Sequence, residues 1–356
     1  MISPISTADS RSCGPCGRVV LLAAALVAFA AAAEAAVGLT EIAGRAGDGI
    51  VTVYYPSNSE AQTLRRGPFT LEMAWHGAPR RGNGHLIVIS HGSGGSPWVH
   101  ADLARILVDA GFVVAMPEHR GDNYKDPSTP GPQSWQRRPA EVSRAIDVVS
   151  EDPRFGPLLS VDRVGMYGMS AGGHTALSLA GGRWSPARFR QYCEAHIAED
   201  FQACVGLATR LRGDILDGMK KRIALWVIRW RFSDATWHTH ADPRIAAVVA
   251  SVPLAADFEM ASLAAPRVPL GLVTARQDRW LIPRFHGDAV LEACAICERV
   301  ADLATGGHGA LLSPLPPGLS GLLGDLLNDP PGFRRAEVVP DVDRMIRAFF
   351  RTHLKG

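Results

Sequence analysis

Short apolar runs alternate with longer amphipathic stretches along most of the chain. Apolar runs typical of strands buried on both faces of a parallel sheet occupy residues 85–90, 112–116, 164–167, 245–252 and 270–274. Helical periodicity marks residues 101–110, 139–151, 171–180, 285–294 and 342–353. Because strand and helix alternate repeatedly, the pattern predicts an α/β fold with a doubly wound, mainly parallel sheet.

Two further strands are predicted before this alternation begins. Residues 49–56 alternate β-branched and aromatic side chains and end at Pro56, and residues 69–75 have a similar pattern. We expect the two segments to pair as a hairpin at the start of the domain.

The first 35 residues have the pattern of a secretory signal. Two arginines precede an apolar run at residues 19–33, which is shorter than the roughly 20 residues that span a bilayer, and a small-x-small sequence follows at 33–35. We therefore predict a secreted or periplasmic protein whose domain comprises residues 36–356. The alternative is that the apolar run remains as an uncleaved membrane anchor.

One long segment, residues 183–242, interrupts the alternation of strands and helices. It is too long for a structureless loop inside a compact domain, so we expect a helical cap inserted into the domain. Several tryptophans and basic residues occur in it, and residues 223–230 are apolar enough to face either the core or a ligand.

Composition and charge exclude several other classes of protein. Of the 356 residues, 47% are hydrophobic and 20% are charged, which is too apolar for a disordered chain. The 37 lysines and arginines nearly balance the 35 acidic residues, and the net charge is +2. Because no overall basic field results, we expect no nucleic-acid partner.

Export changes the interpretation of the six cysteines. Cys13 and Cys16 would leave with the signal, and the remaining four allow three pairings into two disulfides. These four are Cys193, Cys204, Cys294 and Cys297. Structural disulfides are favoured over redox or zinc chemistry, because the CxxC pair Cys294–Cys297 has no thioredoxin-like context and no two further ligands at matching spacing. The sequence His238-Thr239-His240 followed by Asp242 likewise lacks a third ligand nearby and is expected to be a loop.

The motif Gly168-Met169-Ser170-Ala171-Gly172 carries the candidate chemistry. It follows an apolar strand and opens a small-residue helix, which is the context of a nucleophile elbow. Its glycines allow the backbone to pass closely on both sides of the serine, and the helix dipole favours negative charge at the turn. Ser170 is therefore predicted to be an exposed nucleophile at the carboxyl edge of the sheet.

A serine hydroxyl needs a base, and the base needs an orienting acid. His308 lies late in the chain in the glycine-rich sequence Thr305-Gly306-Gly307-His308-Gly309, and Asp278 lies just past a predicted strand. The order Ser, Asp, His is that of α/β-hydrolases. We predict that His308 is the base and Asp278 the acid, with Asp257 as the rival acid.

Two backbone N–H groups are predicted to bind a developing oxyanion. The loop Ser90-His91-Gly92-Ser93-Gly94-Gly95 follows an early strand, and the N–H groups of Ser93 and Ala171 are the expected donors. His91 is assigned a structural role in orienting this loop.

These motifs together resemble a known family. Val53-Tyr54-Tyr55-Pro56, the loop Ser90–Gly94, the segment Pro117-Glu118-His119-Arg120-Gly121-Asp122-Asn123, the serine motif, Asp278 and His308 are similar to those of the predicted dienelactone hydrolases and platelet-activating-factor acetylhydrolases of the α/β-hydrolase superfamily. The likeness covers about residues 48–312. It implies an α/β-hydrolase fold and a Ser-His-Asp hydrolase of carboxylic esters. Dienelactone hydrolases use a cysteine where this chain has Ser170, so lactone opening is not expected.

The expected substrate is a small or lipid-like ester. Trp98, His119 and Tyr124 are candidate pocket residues, and no metal or organic cofactor is expected. Alternative functions are a peptidase or an acyltransferase of the same fold, or a non-catalytic binding protein on a hydrolase scaffold.

Overall fold

A computed structural model describes residues 36–355 as a mixed α/β structure. The prediction of a signal within residues 1–35 therefore lies outside the described residues, as do Cys13 and Cys16. Ten strands occur in this order: β1 Ala36–Ile42, β2 Val51–Ser57, β3 Gln62–Arg66, β4 Phe69–Trp75, β5 Leu86–Ser90, β6 Val113–Pro117, β7 Val164–Met169, β8 Ile245–Ser251, β9 Leu270–Ala275 and β10 Glu298–Leu303. The α-helices are α1 Ala101–Asp109, α2 Pro132–Glu151, α3 Ala171–Leu179, α4 Pro186–His196, α5 Phe201–Val205, α6 Asp217–Arg231, α7 Met260–Leu263, α8 Gly287–Ala293, α9 Gly321–Leu327 and α10 Arg335–His353.

The strands form one mostly parallel sheet in the order β10-β9-β8-β7-β5-β6-β2-β1-β4-β3. Every neighbouring pair from β10 through β6 is parallel. Side chains of β5 alternate between two cores, with Leu86 and Val88 on one face and Ile87 and Ile89 on the other. Helices α2 and α3 contribute to the first core, and α1 and α10 contribute to the second. The expectation of an α/β fold with a mainly parallel sheet covered on both faces is confirmed.

The predicted hairpin of residues 49–56 with 69–75 is wrong. β1 lies between these strands, antiparallel to β2 and parallel to β4. Leu39 of β1 is fully buried, so this strand supplies core that the expected hairpin lacked. It precedes residues 49–56, the first strand that the sequence pattern predicts.

Two helices begin earlier than their sequence pattern indicated. They are the helices predicted over residues 139–151 and 342–353. In the structure α2 begins at Pro132 and Pro139 lies inside it, and α10 begins at Arg335 with Pro340 inside. The helix predicted over residues 285–294 begins later in the structure. A 3₁₀ turn spans Pro283–Phe285, and α8 begins after it at Gly287.

The interrupting segment contains α4, α5 and α6. Phe189 of α4 packs against Phe232, with ring centroids 4.8 Å apart, and Trp184 is buried in the same core. The cysteine sulfurs form two pairs at disulfide distance, Cys193–Cys204 between α4 and α5 and Cys294–Cys297 after α8. Within residues 36–355, no helix combines the length and the apolar character needed to cross a membrane.

A buried carboxyl on α10 predicts an unusual dependence of stability on pH. Burial, with the nearby Asp102 carboxylate, raises the pKa of Asp343 from 3.8 to about 7. A raised folded pKa means that the folded protein holds a proton that the unfolded chain releases, so this group lowers stability as pH rises from about 4 to 7. Asp343→Asn should therefore raise the free energy of unfolding at pH 8, by up to about 4 kcal/mol, with little change at pH 4. Urea denaturation at the two pH values measures this. Asp341→Asn on the exposed face of α10 is the control, and an equal response of both variants would contradict the assignment.

Candidate active site

The turn that carries Ser170 is tightly constrained. Ser170 directly follows β7 and precedes α3, and its φ of 59° and ψ of −117° lie where side chains are disfavoured. A Cβ on Gly168 would lie 1.9 Å from the Gly172 carbonyl oxygen, and a Cβ on Gly172 would lie 1.9 Å from the Ser90 carbonyl oxygen. Both glycines are therefore required for the backbone to pass so closely. The turn is held by bonds from the Ser170 N–H to the Ser251 carbonyl and from the Leu254 N–H to the Ser170 carbonyl.

The structure brings Ser170, His308 and Asp278 into one hydrogen-bonded chain. Ser170 Oγ lies 3.0 Å from His308 Nε2, and His308 Nδ1 lies 2.7 Å from Asp278 Oδ2. Asp278 follows β9 and His308 follows β10, and these strands run parallel to β7 in the same sheet. Because parallel strands end at the same edge, three residues distant in sequence converge there.

Hydrogen bonding fixes the direction of this chain. The other oxygen of Asp278, Oδ1, accepts the N–H groups of Trp280 and Leu281 at 2.8 and 2.9 Å. A carboxylate with both oxygens accepting requires that His308 donate from Nδ1. In the neutral ring Nε2 is then an acceptor, and the Ser170 hydroxyl donates to it. The arrangement is that of a hydroxyl paired with an oriented base.

Asp257, the rival acid, belongs to a different pair. Its Oδ2 lies 2.9 Å from Nε2 of His174 on α3, and both side chains are fully buried. The His174 ring packs against Trp184 and Phe258, with centroids 4.8 and 4.7 Å away. This pair lies behind the turn in the core, whereas Asp278 is the carboxylate that contacts His308.

The loop after β5 lies against Ser170. A Cβ on Gly92 would lie 3.5 Å from Ser170 Cβ and 3.9 Å from Ser170 Oγ, which is van der Waals contact, so this loop borders the serine directly. Ala171 is the first residue of α3, and its N–H therefore has no acceptor within the helix. Within residues 36–355 the Ser93 N–H has no hydrogen-bond acceptor either. Within residues 36–355, therefore, neither of the two N–H groups expected to bind an oxyanion has a hydrogen-bond acceptor.

A buried ion pair that sequence reasoning missed holds this loop. Arg138 of α2 is fully buried and donates to the His91 carbonyl at 2.5 Å and to Asp122 Oδ2 at 2.8 Å. Asp122 Oδ1 accepts from the Ser93 hydroxyl at 2.5 Å and from the Gly94 N–H at 3.1 Å. Both residues of the pair thus hold the loop after β5. Arg138 donates to a carbonyl oxygen of the loop, and Asp122 accepts from a hydroxyl and an N–H group of the loop. Burial alone would raise the pKa of Asp122, but Arg138 and hydrogen bonds from Ser93 and Ser134 lower it below its usual value.

The histidines of this region are neutral and structural. His119 Nδ1 lies 2.6 Å from Glu141 and its Nε2 lies 2.7 Å from Ser90 Oγ, which fits donation to the carboxylate and acceptance from the hydroxyl. Burial, with Arg138 nearby, lowers the pKa of His119 well below its usual value. The His91 Nδ1–H donates to the Gly92 carbonyl at 2.7 Å, as a loop-orienting residue would. Its pKa too is lowered, by burial and then by His119 and Arg138.

The three residues expected to line the pocket differ in how exposed their side chains are. His119 is fully buried, and both of its ring nitrogens are hydrogen-bonded within the protein. Trp98 is buried in the core, with the guanidinium of Arg66 5.5 Å from its ring. Tyr124 is 49% exposed, and its N–H donates to the Gly95 carbonyl, which places it beside the loop. Of the three, Tyr124 has a side chain accessible to a ligand.

The histidines considered for a metal have other partners. His240 Nε2 lies 3.0 Å from the Ser143 hydroxyl, Asp242 pairs with Arg244, and His238 stacks on Trp184. Over the part of the chain that the structure describes, no three His, Cys, Asp or Glu side chains are grouped to hold a metal ion.

Comparison with known proteins adds no relative: neither a protein-family model nor a curated protein matches this chain.

The buried ion pair predicts a large loss of stability when one partner is removed. Asp122→Ala should lower the free energy of unfolding by about 3–5 kcal/mol, because Arg138 would remain buried without a counter-charge. The control is Glu151→Ala, which removes an exposed ion pair with Arg45 and should change stability by no more than about 1 kcal/mol. Chemical denaturation of the two variants tests this. Equally small losses of unfolding free energy in both variants would show that the Asp122–Arg138 pair does not contribute this stability.

Proposed function

We propose that this protein is a serine hydrolase of the α/β-hydrolase type that cleaves carboxylic esters through an acyl-enzyme. The observation that carries the proposal is the hydrogen-bonded chain from Ser170 through His308 to Asp278. A hydroxyl is a poor nucleophile near neutral pH, and this arrangement supplies the base and the orienting acid that it lacks.

In the first step the Ser170 oxygen attacks the carbonyl carbon of the ester. His308 Nε2 takes the hydroxyl proton, and the resulting imidazolium is stabilised by the Asp278 carboxylate. Trp280 and Leu281 donate to the second oxygen of Asp278 and hold the carboxyl group in place. His308 then gives the proton to the departing alcohol, and the acyl group remains on Ser170.

The carbonyl oxygen becomes negative during this step. The N–H groups of Ser93 and Ala171 are the proposed donors to it, and the N-terminal dipole of α3 adds to them. One such donor is typically worth about 3–4 kcal/mol of transition-state stabilisation. The buried Asp122–Arg138 pair supports this role, because it fixes the Ser93 loop before substrate arrives.

In the second step water replaces the alcohol. His308 Nε2 accepts a proton from that water, the resulting nucleophile attacks the acyl carbon, and the same proton returns to Ser170 as the acid is released. No step needs a group beyond the chain's own residues and water.

The resemblance to dienelactone hydrolases and platelet-activating-factor acetylhydrolases supports an ester as the substrate. Ser170 in place of a cysteine argues against lactone opening. Tyr124 is the residue proposed to contact the substrate, because it is exposed beside the loop that holds Ser93. The apolar leader pattern and the two cysteine pairs support export to the periplasm or exterior.

Labelling by an active-site probe tests the proposed chemistry directly. A fluorophosphonate should label the protein once, and the label should be absent from Ser170→Ala. Hydrolysis of a short p-nitrophenyl ester should fall by roughly 10⁴-fold or more in Ser170→Ala and in His308→Ala. Unchanged hydrolysis in Ser170→Ala would end the proposal, and faster turnover of aminoacyl amides than of esters would replace an esterase with a peptidase.

The two carboxylates provide a matched pair of variants. Asp278→Asn should lower kcat by about 10⁴-fold, because the amide no longer holds His308 in the tautomer that accepts the Ser170 proton. Asp257→Asn alters only the His174 pair and should leave kcat close to that of the unmodified protein at temperatures where both fold. Steady-state kinetics on one ester compare them. The reverse order of losses would assign the acid to Asp257.

A further inference from the structure

Helix α6 has an exposed apolar face. Leu216, Met219, Ile223, Trp226 and Trp230, here named the α6 stripe, recur at spacings of three and four residues and so share one side of the helix. Their exposed fractions are 48, 53, 54, 71 and 80%. The preceding residue, Ile215, is 98% exposed and extends the stripe. Contiguous exposed apolar surface of this kind marks an interaction site.

The opposite side of α6 anchors the helix. Ile228 is buried in the core, and Ala224 and Leu225 pack against the same core. The helix is therefore apolar on two sides, and only one of them is covered by the described protein. Because the inner side already fixes α6, the stripe is not needed to hold the helix in place.

Basic residues border the stripe on both sides. At 100° per residue, Arg222 and Arg229 lie along one border and Lys220 and Arg231 along the other. Between positions 210 and 231 the sequence has seven lysines and arginines against two aspartates. Lys220 pairs with Asp214 and Asp217, and Arg229 pairs with Glu194. Within residues 36–355 Arg222 and Arg231 have no carboxylate partner, so the surface around the stripe keeps a net positive charge.

We infer that the α6 stripe is a docking surface for a lipid bilayer that carries anionic headgroups. Tryptophans with other apolar residues on one face and lysines and arginines beside them are the pattern of a helix that lies in the membrane interface. The long basic side chains reach headgroup phosphates while the indoles enter the acyl boundary. A second copy of the chain fits less well, because two such faces would bring like charges together.

The segment that carries the stripe is bonded to loops on both sides of the candidate active site. Arg231 donates to the Pro130 carbonyl at 2.6 Å, in the loop that also holds Asp122. Arg210 pairs with Asp325, whose carbonyl accepts the indole N–H of Trp280, two residues after Asp278. Docking would therefore bring the candidate site to the membrane surface. This consequence depends on the proposed function, but the docking itself does not.

Vesicle binding tests the inference without reference to activity. The full chain is sedimented with vesicles of phosphatidylcholine alone and of phosphatidylcholine with phosphatidylglycerol. Trp226→Ser with Trp230→Ser should weaken partitioning at least about tenfold on the anionic vesicles, because two large apolar side chains no longer enter the interface. Arg222→Glu should weaken binding about tenfold on the anionic vesicles and little on the neutral ones.

Matched control variants lie on α10, where Met345 is 47% exposed. Met345→Ser and Arg351→Glu should leave partitioning unchanged. All proteins contain residues 19–33, so a difference between variants reports the stripe alone. Thermal melting checks folding, and if the double tryptophan variant does not fold, Arg222→Glu still decides.

Three results would overturn the inference. The first is that the unmodified chain does not bind anionic vesicles. The second is that stripe and control variants bind equally. The third is that the chain binds a second copy of itself or an acidic protein instead of vesicles, and that the stripe variants abolish that binding. This result would assign the surface to that partner.

Discussion

The close approach of three backbone segments at Ser170 is the constraint on which the candidate site depends. The Ser90 carbonyl lies so near Gly172, and the Gly172 carbonyl so near Gly168, that neither glycine can carry a side chain. This contact joins the end of β5 to the turn after β7, and it places the Ser93 loop beside the Ser170 hydroxyl. The strained backbone of Ser170 persists because its N–H donates to Ser251 at the end of β8 and its carbonyl accepts from Leu254 in the loop after β8. Orientation of the hydroxyl is therefore a property of the sheet.

Two hydrogen-bonded networks contact this turn, one made by His308 and Asp278 and the other by the loop after β5. In each network a charged group sets the proton positions. On one side Asp278 makes His308 a donor at Nδ1 and thus an acceptor at Nε2. On the other side Arg138 and Asp122 hold the loop, and His91 and His119 stay uncharged because burial and the guanidinium oppose a further positive charge. Of these three histidines, His308 is the one whose Nε2 contacts the Ser170 hydroxyl. In the proposed mechanism, proton transfer therefore belongs to His308, and His91 and His119 support the loop.

Sequence pattern predicted the central strands well because they are continuous apolar runs, and it predicted the meeting of Ser170, Asp278 and His308 because each follows such a strand or a glycine-rich loop. It failed at the edges. β10 is a half-exposed edge strand with charged residues, which removes the apolar signal, and β1 follows an apolar leader that hides its start. Arg138 could not be assigned either, since an arginine at the seventh residue of an amphipathic helix normally faces solvent. Arg138 is buried because it pairs with Asp122, and only the three-dimensional structure shows that the two are close.

Helix α6 shows why a periodic pattern cannot separate an inner from an outer apolar face. Ile228 and Trp226 are equally apolar and two residues apart, yet one is buried and the other is largely exposed. Residues 223–230 were expected to face a core or a ligand, and the structure divides them between the core and the surface. Exposure of indoles in water is unfavourable, and folding of α6 does not require it because the inner side packs independently. Basic residues border this surface, and packing of α6 on the core does not require them. Their charge favours an anionic partner, which is why we infer that the outer face of α6 contacts an anionic membrane interface.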